Sequence, residues 1–253
     1  MKRIIVGTIA IVSSIASYAF SGSGAGTEKS PYLITSADEL FEVRSDLNAH
    51  YKLMNDIDLR SWLDENSPSQ GWAPIGTSSS PFNGVFDGNN KTIKNLNIQR
   101  VNSDNVGLFG YVQAACLKNV ILLNPNIVGR NNVAALVGNR TASTSYDESG
   151  LGQSTISNCY VTGGRVNGND CVGGLVGKNY GDGNGNSFII EACHNSANIY
   201  GSNEVGGICG HAQGWAGSPI YIRNTFSIGN ISGSEKIGGI VGYLYSGYTW
   251  ISK

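Results

Sequence analysis

The sequence predicts an all-β protein, a right-handed parallel β-helix (solenoid) with a small N-terminal α/β cap. An apolar, glycine-containing segment recurs every 27 to 39 residues, shorter apolar runs precede each copy, and no run is long enough for a helix. Repeats of this period indicate a solenoid, a propeller or an array. A propeller blade needs about 40–45 residues in four strands. These units are shorter, so the solenoid is favoured.

The recurring segment places small residues between branched apolar ones, as in "VGGLVG" at residues 172–177. Its copies begin at Val106, Val133, Val172, Val205 and Ile237. Strict alternation along a strand would send Val172 and Leu175 to opposite faces. If both side chains belong to the core, Gly173 and Gly174 must bend or bulge the strand, which residues without a Cβ atom allow.

The residues before each copy align in three columns, and we expect three short strands in each coil. The first column is Ile156, Ile190 and Ile222, with Leu117 and Ile93 as earlier members. The second is Asn95, Asn119, Asn158 and Asn224, broken by Ala192. The third is Ile127, Val166, Ile199 and Ile231. Because coils stack about 4.8 Å apart, the aliphatic columns would form a continuous core and the asparagines a side-chain ladder at a turn.

Residues 1–19 have the pattern of a signal peptide. A basic start at Lys2 and Arg3 precedes an apolar run and a small-x-small cleavage site that ends at Ala19. The alternative, a membrane anchor, needs about 20 solidly apolar residues, and this run is shorter. Residues 20–30 are rich in Gly and Ser, a composition typical of a flexible lead-in.

Residues 31–90 are predicted to cap the first coil, because a solenoid must cover its terminal edge. Ser36 and Glu39 have the spacing of a capping box, and the apolar residues after them indicate one helix. Trp62, Trp72 and Phe82 are expected to pack within this cap. The repeats then occupy residues 91–253. We expect them to be truncated at the C-terminus, unless the terminal aromatic residues cover the last coil.

Several motifs together resemble the GLUG-motif repeat family of bacterial secreted and cell-surface proteins. They are the "GLVG" core at residues 174–177 and the entry segments "YKLMNDIDL" (51–59) and "PFNGVFDGNNKTIKNL" (81–96). The family includes adhesins, and similar repeats occur in the non-catalytic regions of IgA1-specific metallopeptidases. The resemblance covers roughly residues 22–245. It implies a β-helix in an exported, adhesin-like protein at the cell surface or outside the cell.

Composition argues against two classes of partner. The net charge is −1 and only 14% of residues are charged, so the sequence has no basic footprint for nucleic acid. No basic amphipathic stretch indicates binding to a membrane surface. We therefore expect no nucleic-acid partner and no membrane insertion after signal cleavage.

The histidines do not indicate metal chemistry. His50, His194 and His211 lack the helical His-x-x-x-His pairing of a zinc peptidase. His194 aligns with Tyr160 and Phe226, which favours a packing or turn role. The sequence therefore predicts no metal and no cofactor.

Carboxylates on adjacent coils would be needed for a polysaccharide lyase or hydrolase. The best column is Asp170, Asn203 and Glu235, beside Cys171, Glu204 and Lys236. We interpret Glu204 and Lys236 as a surface charge pair, worth about 0–1 kcal/mol. Catalysis is therefore not predicted.

The segment "GDGNGNS" (181–187) places Asp182, Asn184 and Asn186 at calcium-loop spacing. Ser187 and Cys193 stand where an EF-hand needs Gly and Glu. A glycine-rich turn is the favoured interpretation.

One pair among the five cysteines aligns between repeats. On successive coils the Cα atoms of Cys159 and Cys193 would lie about 5 Å apart, within disulfide range. A disulfide and a pair of stacked reduced thiols are equal alternatives.

Three insertions follow copies of the recurring segment, at residues 140–153, 179–187 and 211–218. Equivalent positions place them on one edge of the solenoid, and such insertions often form the binding face of repeat proteins. The side chains suited to a ligand are Tyr146, Asp147, Glu148, Tyr180, Asp182 and Trp215. Tolerated variation in loop length is an equal alternative.

These observations predict an exported, non-catalytic β-helix in surface adhesion or cell-envelope structure. Its expected partner is a host or environmental glycan or a matrix protein. One alternative is a β-helix that binds or processes carbohydrate. The other is a stalk for a C-terminal domain outside this sequence.

Overall fold

The structure, a computed structural model, describes residues 20–141, 154–181, 183, 187–245 and 247–252. Its N-terminal part contains two short helices among short strands. The elements there are β1 (Tyr32–Ile34), α1 (Ala37–Glu42), a 3-10 turn (Val43–Ser45), β2 (His50–Leu53), β3 (Ile57–Asp58), α2 (Arg60–Asn66), β4 (Val85–Asp87), β5 (Thr92–Lys94), β6 (Asn97–Gln99) and β7 (Phe109–Gln113).

Four full coils follow, and each is built from five strands. Coil I has β8 (Cys116–Lys118), β9 (Ile121–Leu123), β10 (Asn126–Val128), β11 (Asn131–Val133) and β12 (Val137–Thr141). Coil II has β13 (Ser154–Ser157), β14 (Tyr160–Thr162), β15 (Arg165–Asn167), β16 (Asp170–Gly173) and β17 (Val176–Tyr180). Coil III has β18 (Phe188–Glu191), β19 (His194–Asn195), β20 (Asn198–Tyr200), β21 (Asn203–Gly206) and β22 (Cys209–Gln213). Coil IV has β23 (Ile220–Arg223), β24 (Phe226–Ser227), β25 (Ile231–Ser232), β26 (Glu235–Gly238) and β27 (Val241–Tyr245), and β28 (Thr249–Ser252) follows it.

Equivalent strands of successive coils pair in parallel and form five sheets along the solenoid. Sheet 1 has the order β1-β2-β4-β8-β13-β18-β23-β28, and sheet 2 is β3-β5-β9-β14-β19-β24. Sheet 3 is β6-β10-β15-β20-β25, sheet 4 is β11-β16-β21-β26, and sheet 5 is β7-β12-β17-β22-β27. Parallel pairing between strands one coil apart defines a parallel β-helix, so the predicted fold class is confirmed. Its right-handed sense remains the expectation for parallel crossovers.

The predicted aliphatic column is in register. Ile190 of β18 is the Cα partner of Ile156 on one side and of Ile222 on the other. All three side chains are at most 1% exposed. Leu117 continues the column in coil I. The solenoid core therefore consists of vertically stacked apolar side chains, as the sequence predicts.

The sequence alignment assigns the residues before coil I to the wrong strand, one strand too late in the chain. The residue next to Leu117 in the column is Phe86 of β4, whereas Ile93 pairs with Leu122 in sheet 2. Asn95 likewise belongs to a different column from Asn119. The alignment passes over β4 because an aromatic residue stands there in place of an aliphatic one.

Each coil has five strands, whereas the sequence predicts three. Residues in the left-handed conformation divide the predicted runs. In coil II, Asn158 (φ 51°) separates β13 from β14, and Gly163 (φ 64°) separates β14 from β15. Gly and Asn are the residues that adopt this conformation most readily. Part of the expected asparagine ladder is present at such a turn. Asn158 Nδ2 donates to Asn119 Oδ1 at 3.4 Å, and Asn119 Nδ2 donates to Asp87 Oδ1, in place of Asn95, at 2.9 Å.

The glycine pair forms the corner between sheets 4 and 5. Val172 and Leu175 are both fully buried, so the chain cannot alternate between faces there. A Cβ atom on Gly173 would overlap Val176 O, and one on Gly174 would overlap Gly207 O of the next coil. The corner therefore has the bend that the sequence predicts, at a point where coils approach too closely for a side chain.

The N-terminal part differs from the expected cap in its number of helices and in where the stacking of coils begins. It has two helices rather than one, and neither described helix is long and apolar enough to cross a bilayer. α1 begins at the predicted cap, where Ser36 Oγ accepts the Glu39 N–H at 3.2 Å. Trp72 and Phe82 are fully buried, and the Trp62 ring lies 5.7 Å from the Trp72 ring. Strands β1, β2 and β4 already belong to sheet 1, so stacking begins within the predicted cap.

Residues 20–30 are not a flexible lead-in in the structure. The Phe20 ring lies 4.6 Å from the Tyr32 ring and 5.7 Å from the Tyr51 ring. Ser23 and Leu33 form an antiparallel bridge. The Gly/Ser composition concealed this packing, because one aromatic residue supplies the apolar contact that holds the segment against β1 and β2.

Candidate functional site

The predicted loop edge is built by the C-terminal ends of β12, β17 and β22. Thr141, Tyr180 and Gln213 are Cα partners in sheet 5. The three inserted segments therefore begin at the same edge of the solenoid, and their starting points are stacked on successive coils. Of the predicted ligand residues, Tyr146, Asp147, Glu148 and Asp182 lie outside the described residues.

Tyr180 and Trp215 are the two predicted ligand residues that the structure describes. The Trp215 side chain is 40% exposed, on a turn where Trp215 and Ser218 exchange backbone hydrogen bonds of 3.1 and 2.9 Å. Tyr180 is half-buried, and Lys178 Nζ lies 5.7 Å from the centre of its ring. The two loops are joined by the Gly181 N–H, which donates to Gln213 O at 2.8 Å. Trp215 is thus an exposed aromatic residue on a loop that follows the strand paired with that of Tyr180.

Arg140, predicted to begin the first insertion, belongs instead to the interior. Its side chain is fully buried. Nε donates to Ser154 Oγ at 2.9 Å, and the guanidinium carbon lies 4.8 Å from the centre of the Phe188 ring. Burial lowers the pKa of Arg140 to about 9. Strand alternation explains the error, because Arg140 follows an outward-facing residue in β12 and must point inward.

A second surface, which the sequence analysis missed, lies on the outer wall of sheet 3. It is an open groove of about 500 Å³ that crosses coils I, II and III. The lining residues are Asn124, Pro125, Asn126, Gly164, Arg165, Asn167, Asn198 and Tyr200. Tyr200 is 41% exposed, and Arg165 Nε donates to Asn126 Oδ1 at 2.7 Å. The sequence signal was the polar residues that flank the third column in successive repeats.

An aromatic stack runs along the outer face of sheet 2. The His194 ring lies 4.4 Å from the Tyr160 ring and 5.2 Å from the Phe226 ring, and the planes are within 18° of parallel. Burial lowers the pKa of His194. The arrangement is a packing stack on the surface, with Phe226 52% exposed at its end.

The interpretation of Glu204 and Lys236 as a surface pair is wrong. Lys236 Nζ does contact Glu204 Oε1 at 3.0 Å. Glu204 itself is only 7% exposed, and its other oxygen accepts from the Cys171 thiol at 3.1 Å and contacts His211 Nδ1 at 2.7 Å. The sequence concealed this network because His211 is seven residues from Glu204 and reaches it only through the corner between sheets 4 and 5.

Cys159 and Cys193 occupy neighbouring positions in the core, next to the paired residues Tyr160 and His194. Both are free thiols in the structure and 1% exposed. The Cys159 N–H donates to Cys193 Sγ at 3.4 Å. The stacked arrangement is thus the one described here, and a disulfide between the two stays a prediction.

Comparison with known proteins finds relatives that are much longer than the matched segment. It is 32% identical over 159 residues to halomucin of Haloquadratum walsbyi, covering 61% of this chain and 2% of that protein. It is 37% identical over 121 residues to a proposed Gly-rich membrane protein of Evansella cellulosilytica, covering 47% of this chain and 14% of that protein. The chain therefore spans only a small part of these relatives. No family model matches it.

One solved structure shares the fold. It is the crystal structure of a proposed immunoglobulin A1 protease from Bacteroides ovatus, with a TM-score of 0.70 and 25% identity. The likeness covers 90% of this chain and 66% of that one. This agrees with the part of the predicted resemblance that concerns IgA1 proteases.

Proposed function

We propose that the chain is an exported, non-catalytic β-helix that acts at the cell surface and binds glycans through its outer wall. The names of the relatives support a surface repeat protein, and the continuous stack of coils supports a rigid display scaffold. Adhesion through a host or environmental glycan, or a matrix protein, is the specific form of this proposal.

The groove on sheet 3 is the observation that carries glycan binding. Sugars are recognised by aromatic faces that cover their C–H surfaces and by planar polar groups that pair with hydroxyls. Tyr200 supplies an exposed ring, Arg165 a guanidinium, and Asn167 and Asn198 side-chain amides. Because these groups stand on strands of two stacked coils, β15 and β20, their spacing is held by backbone hydrogen bonds and not by loops.

The loop edge is a second attachment face in this proposal. Trp215 offers an exposed side chain there, and Tyr180 ends the neighbouring strand β17. Tyr146, Asp147, Glu148 and Asp182 remain proposed contributors from the inserted loops. Both faces would let one solenoid contact an extended polymer along its length.

A glycan and matrix-protein array with residues 20–253 tests the proposal. Tyr200→Ala with Arg165→Gln should abolish binding if the groove is the site, whereas Trp215→Ala should abolish it if the loop edge is the site. Trp250→Ala is a matched control, because this residue is 47% exposed and lies on β28 in sheet 1. Binding that survives both sets of site variants would refute both proposed faces.

A structural stalk is the second candidate, because the relatives are far longer than the matched segment. A stalk should show no ligand on the array and no dependence on Tyr200 or Trp215. The carbohydrate-processing alternative requires release of reducing or unsaturated ends from a polymer. Such release by residues 20–253 would contradict the non-catalytic proposal.

A further inference from the structure

One turn position has the same backbone geometry in five successive turns, but the residue type there changes along the solenoid. The residues are Asn105, Asn132, Cys171, Glu204 and Lys236, with φ between 51° and 58°. The flanking residues are in register, since Val172 pairs with Val133 and with Val205. The first two members form an amide ladder, in which Asn132 Nδ2 donates to Asn105 Oδ1 at 2.9 Å. Cys171 and Glu204 replace that ladder in coils II and III.

His211 completes a compact cluster with these two residues. It lies on β22 of coil III, seven residues after Glu204. Glu204 Oε2 is 2.7 Å from His211 Nδ1 and 3.1 Å from Cys171 Sγ, and one ligand atom from each residue lies within 4.8 Å of the others. All three residues are at least nine-tenths buried, with exposures of 5%, 7% and 8%. Within the described ranges this is the one group of three His, Cys, Asp or Glu side chains close enough to share an ion.

The two ring nitrogens of His211 differ in their surroundings, since Nδ1 faces Glu204 in the cluster. His211 Nε2 is buried and has no hydrogen-bond partner among the described residues. A buried polar atom without a partner costs about 1–3 kcal/mol. An imidazole that binds a metal through one nitrogen commonly donates from the other, so Nδ1 is the nitrogen placed to bind an ion in the cluster and Nε2 is the one left for an outer partner.

We propose that Cys171, Glu204 and His211 form a zinc-type metal site that links coils II and III. Thiolate, imidazole and carboxylate are the ligands that zinc takes in proteins. Two ligand atoms about 2.0–2.3 Å from one tetrahedral ion lie about 3.3–3.8 Å apart. The observed 2.7 and 3.1 Å separations would therefore open by well under 1.5 Å on binding. Calcium and magnesium are disfavoured, because they prefer oxygen ligands.

In the absence of an ion, hydrogen bonds hold the three side chains of the cluster together, and the proposed ion would take the place of the thiol proton. Burial, with the hydrogen bond to Glu204, raises the pKa of the Cys171 thiol, so this thiol is protonated and donates to the carboxylate. Burial would by itself raise the pKa of Glu204, but hydrogen bonds from Cys171, His211 and Lys236 lower it. Binding of the ion releases the thiol proton to solvent and leaves a thiolate–metal bond in its place. Lys236 holds the second carboxylate oxygen and is an outer partner, not a ligand.

Metal titration of reduced, chelator-treated residues 20–253 tests this site. Zn²⁺ should bind at one equivalent in calorimetry and raise the unfolding temperature. Co²⁺ should produce a thiolate-to-metal charge-transfer band in the near ultraviolet. A wild-type protein that shows no saturable binding, or that binds Co²⁺ without the thiolate band, would overturn the proposal.

Substitutions at the three proposed ligand residues test which side chains bind the ion. Cys171→Ser, Glu204→Gln and His211→Asn should each weaken Zn²⁺ binding by more than the about 10–100-fold that loss of an outer partner costs. Cys116→Ser and His194→Asn are matched controls and should bind as wild type does. Lys236→Met should retain the site, and its loss there would show that the cluster depends on the ion pair instead. If a ligand variant fails to fold by circular dichroism, the Co²⁺ spectra of wild type and Lys236→Met decide the question.

Discussion

Gly174→Ala tests whether the glycine pairs are required by the packing of coils or by the backbone conformation. Gly174 does not have a left-handed φ, so alanine can adopt its backbone. An added Cβ atom would overlap Gly207 O of the next coil and lie 2.5 Å from Asn195 Cγ and 2.8 Å from Asn195 Nδ2. Normal contacts of this kind are about 3.5–4.0 Å, so something must move.

Neither neighbour of the new methyl group can move without loss. Gly207 O belongs to the stacked backbone, and Asn195 is fully buried. The Asn195 side chain accepts the Ala197 N–H at 3.0 Å and donates to Ala197 O at 3.1 Å. Overpacking and one or two lost hydrogen bonds together cost about 2–4 kcal/mol. The unfolding temperature should therefore fall by about 5–15 °C, measured by circular dichroism.

Coil IV supplies both controls. Gly239 holds the same motif position as Gly174, yet a Cβ atom there would meet nothing within 4 Å. Gly239→Ala should therefore be neutral or stabilise by up to about 1 kcal/mol. Gly238→Ala would overlap Val241 O and should reduce the hydrogen-exchange protection of coil IV. If Gly239→Ala destabilises as much as Gly174→Ala does, the motif demands glycine for its backbone and the packing argument is refuted.

Three further predictions concern the core, the thiols and the aromatic stack. Ile190→Ala should lower the free energy of unfolding in urea by about 2–5 kcal/mol. Ile189 faces outward, so Ile189→Ala should lower it by less than about 1.5 kcal/mol. Equal losses would contradict the assigned faces. Oxidation should join Cys159 to Cys193 in preference to other cysteine pairs, which non-reduced peptide mapping detects; a dominant different pair would contradict the stacked register. The His194 resonance should titrate below about 6.5, because burial lowers its pKa. Its contribution to stability is then complete above that pH and lost as the pH falls, and a higher midpoint by NMR would contradict the stack as described.

The interior of the solenoid could be predicted from the sequence because stacking makes it periodic. Ile156, Ile190 and Ile222 must have similar volume and the same orientation, so their spacing is visible without a structure. The periodicity did not reveal Phe86, because this residue occupies the same column as Leu117 but is aromatic and not aliphatic. The predicted number of strands per coil was wrong for a related reason. A single residue in the left-handed conformation, such as Asn158, turns the chain without interrupting the apolar pattern.

The position of a candidate site could be predicted only where the site is set by the pairing of equivalent strands in successive coils. The loop edge follows from the equivalence of β12, β17 and β22, so its location was predicted. The groove on sheet 3 was missed, because its lining combines the flanks of three coils with two turns, and no single repeat contains a recognisable motif. Arg140 was misplaced because a charged residue at the start of an insertion is typical of a surface, although strand alternation already required it to point inward.

The turn column of Asn105, Asn132, Cys171 and Glu204 shows how a solenoid can acquire chemistry without altering its fold. The interior positions are coupled through packing, so a change there must be compensated by neighbours. The turn position is held by the backbone of adjacent coils. The Glu204 side chain there contacts the equivalent residues Cys171 and Lys236 of the neighbouring coils and His211 on sheet 5. Two substitutions in successive coils therefore bring new groups within hydrogen-bond distance automatically, as the 3.1 Å contact of Cys171 with Glu204 shows. In this turn column, the departures from the repeat are therefore the residues of the proposed metal site.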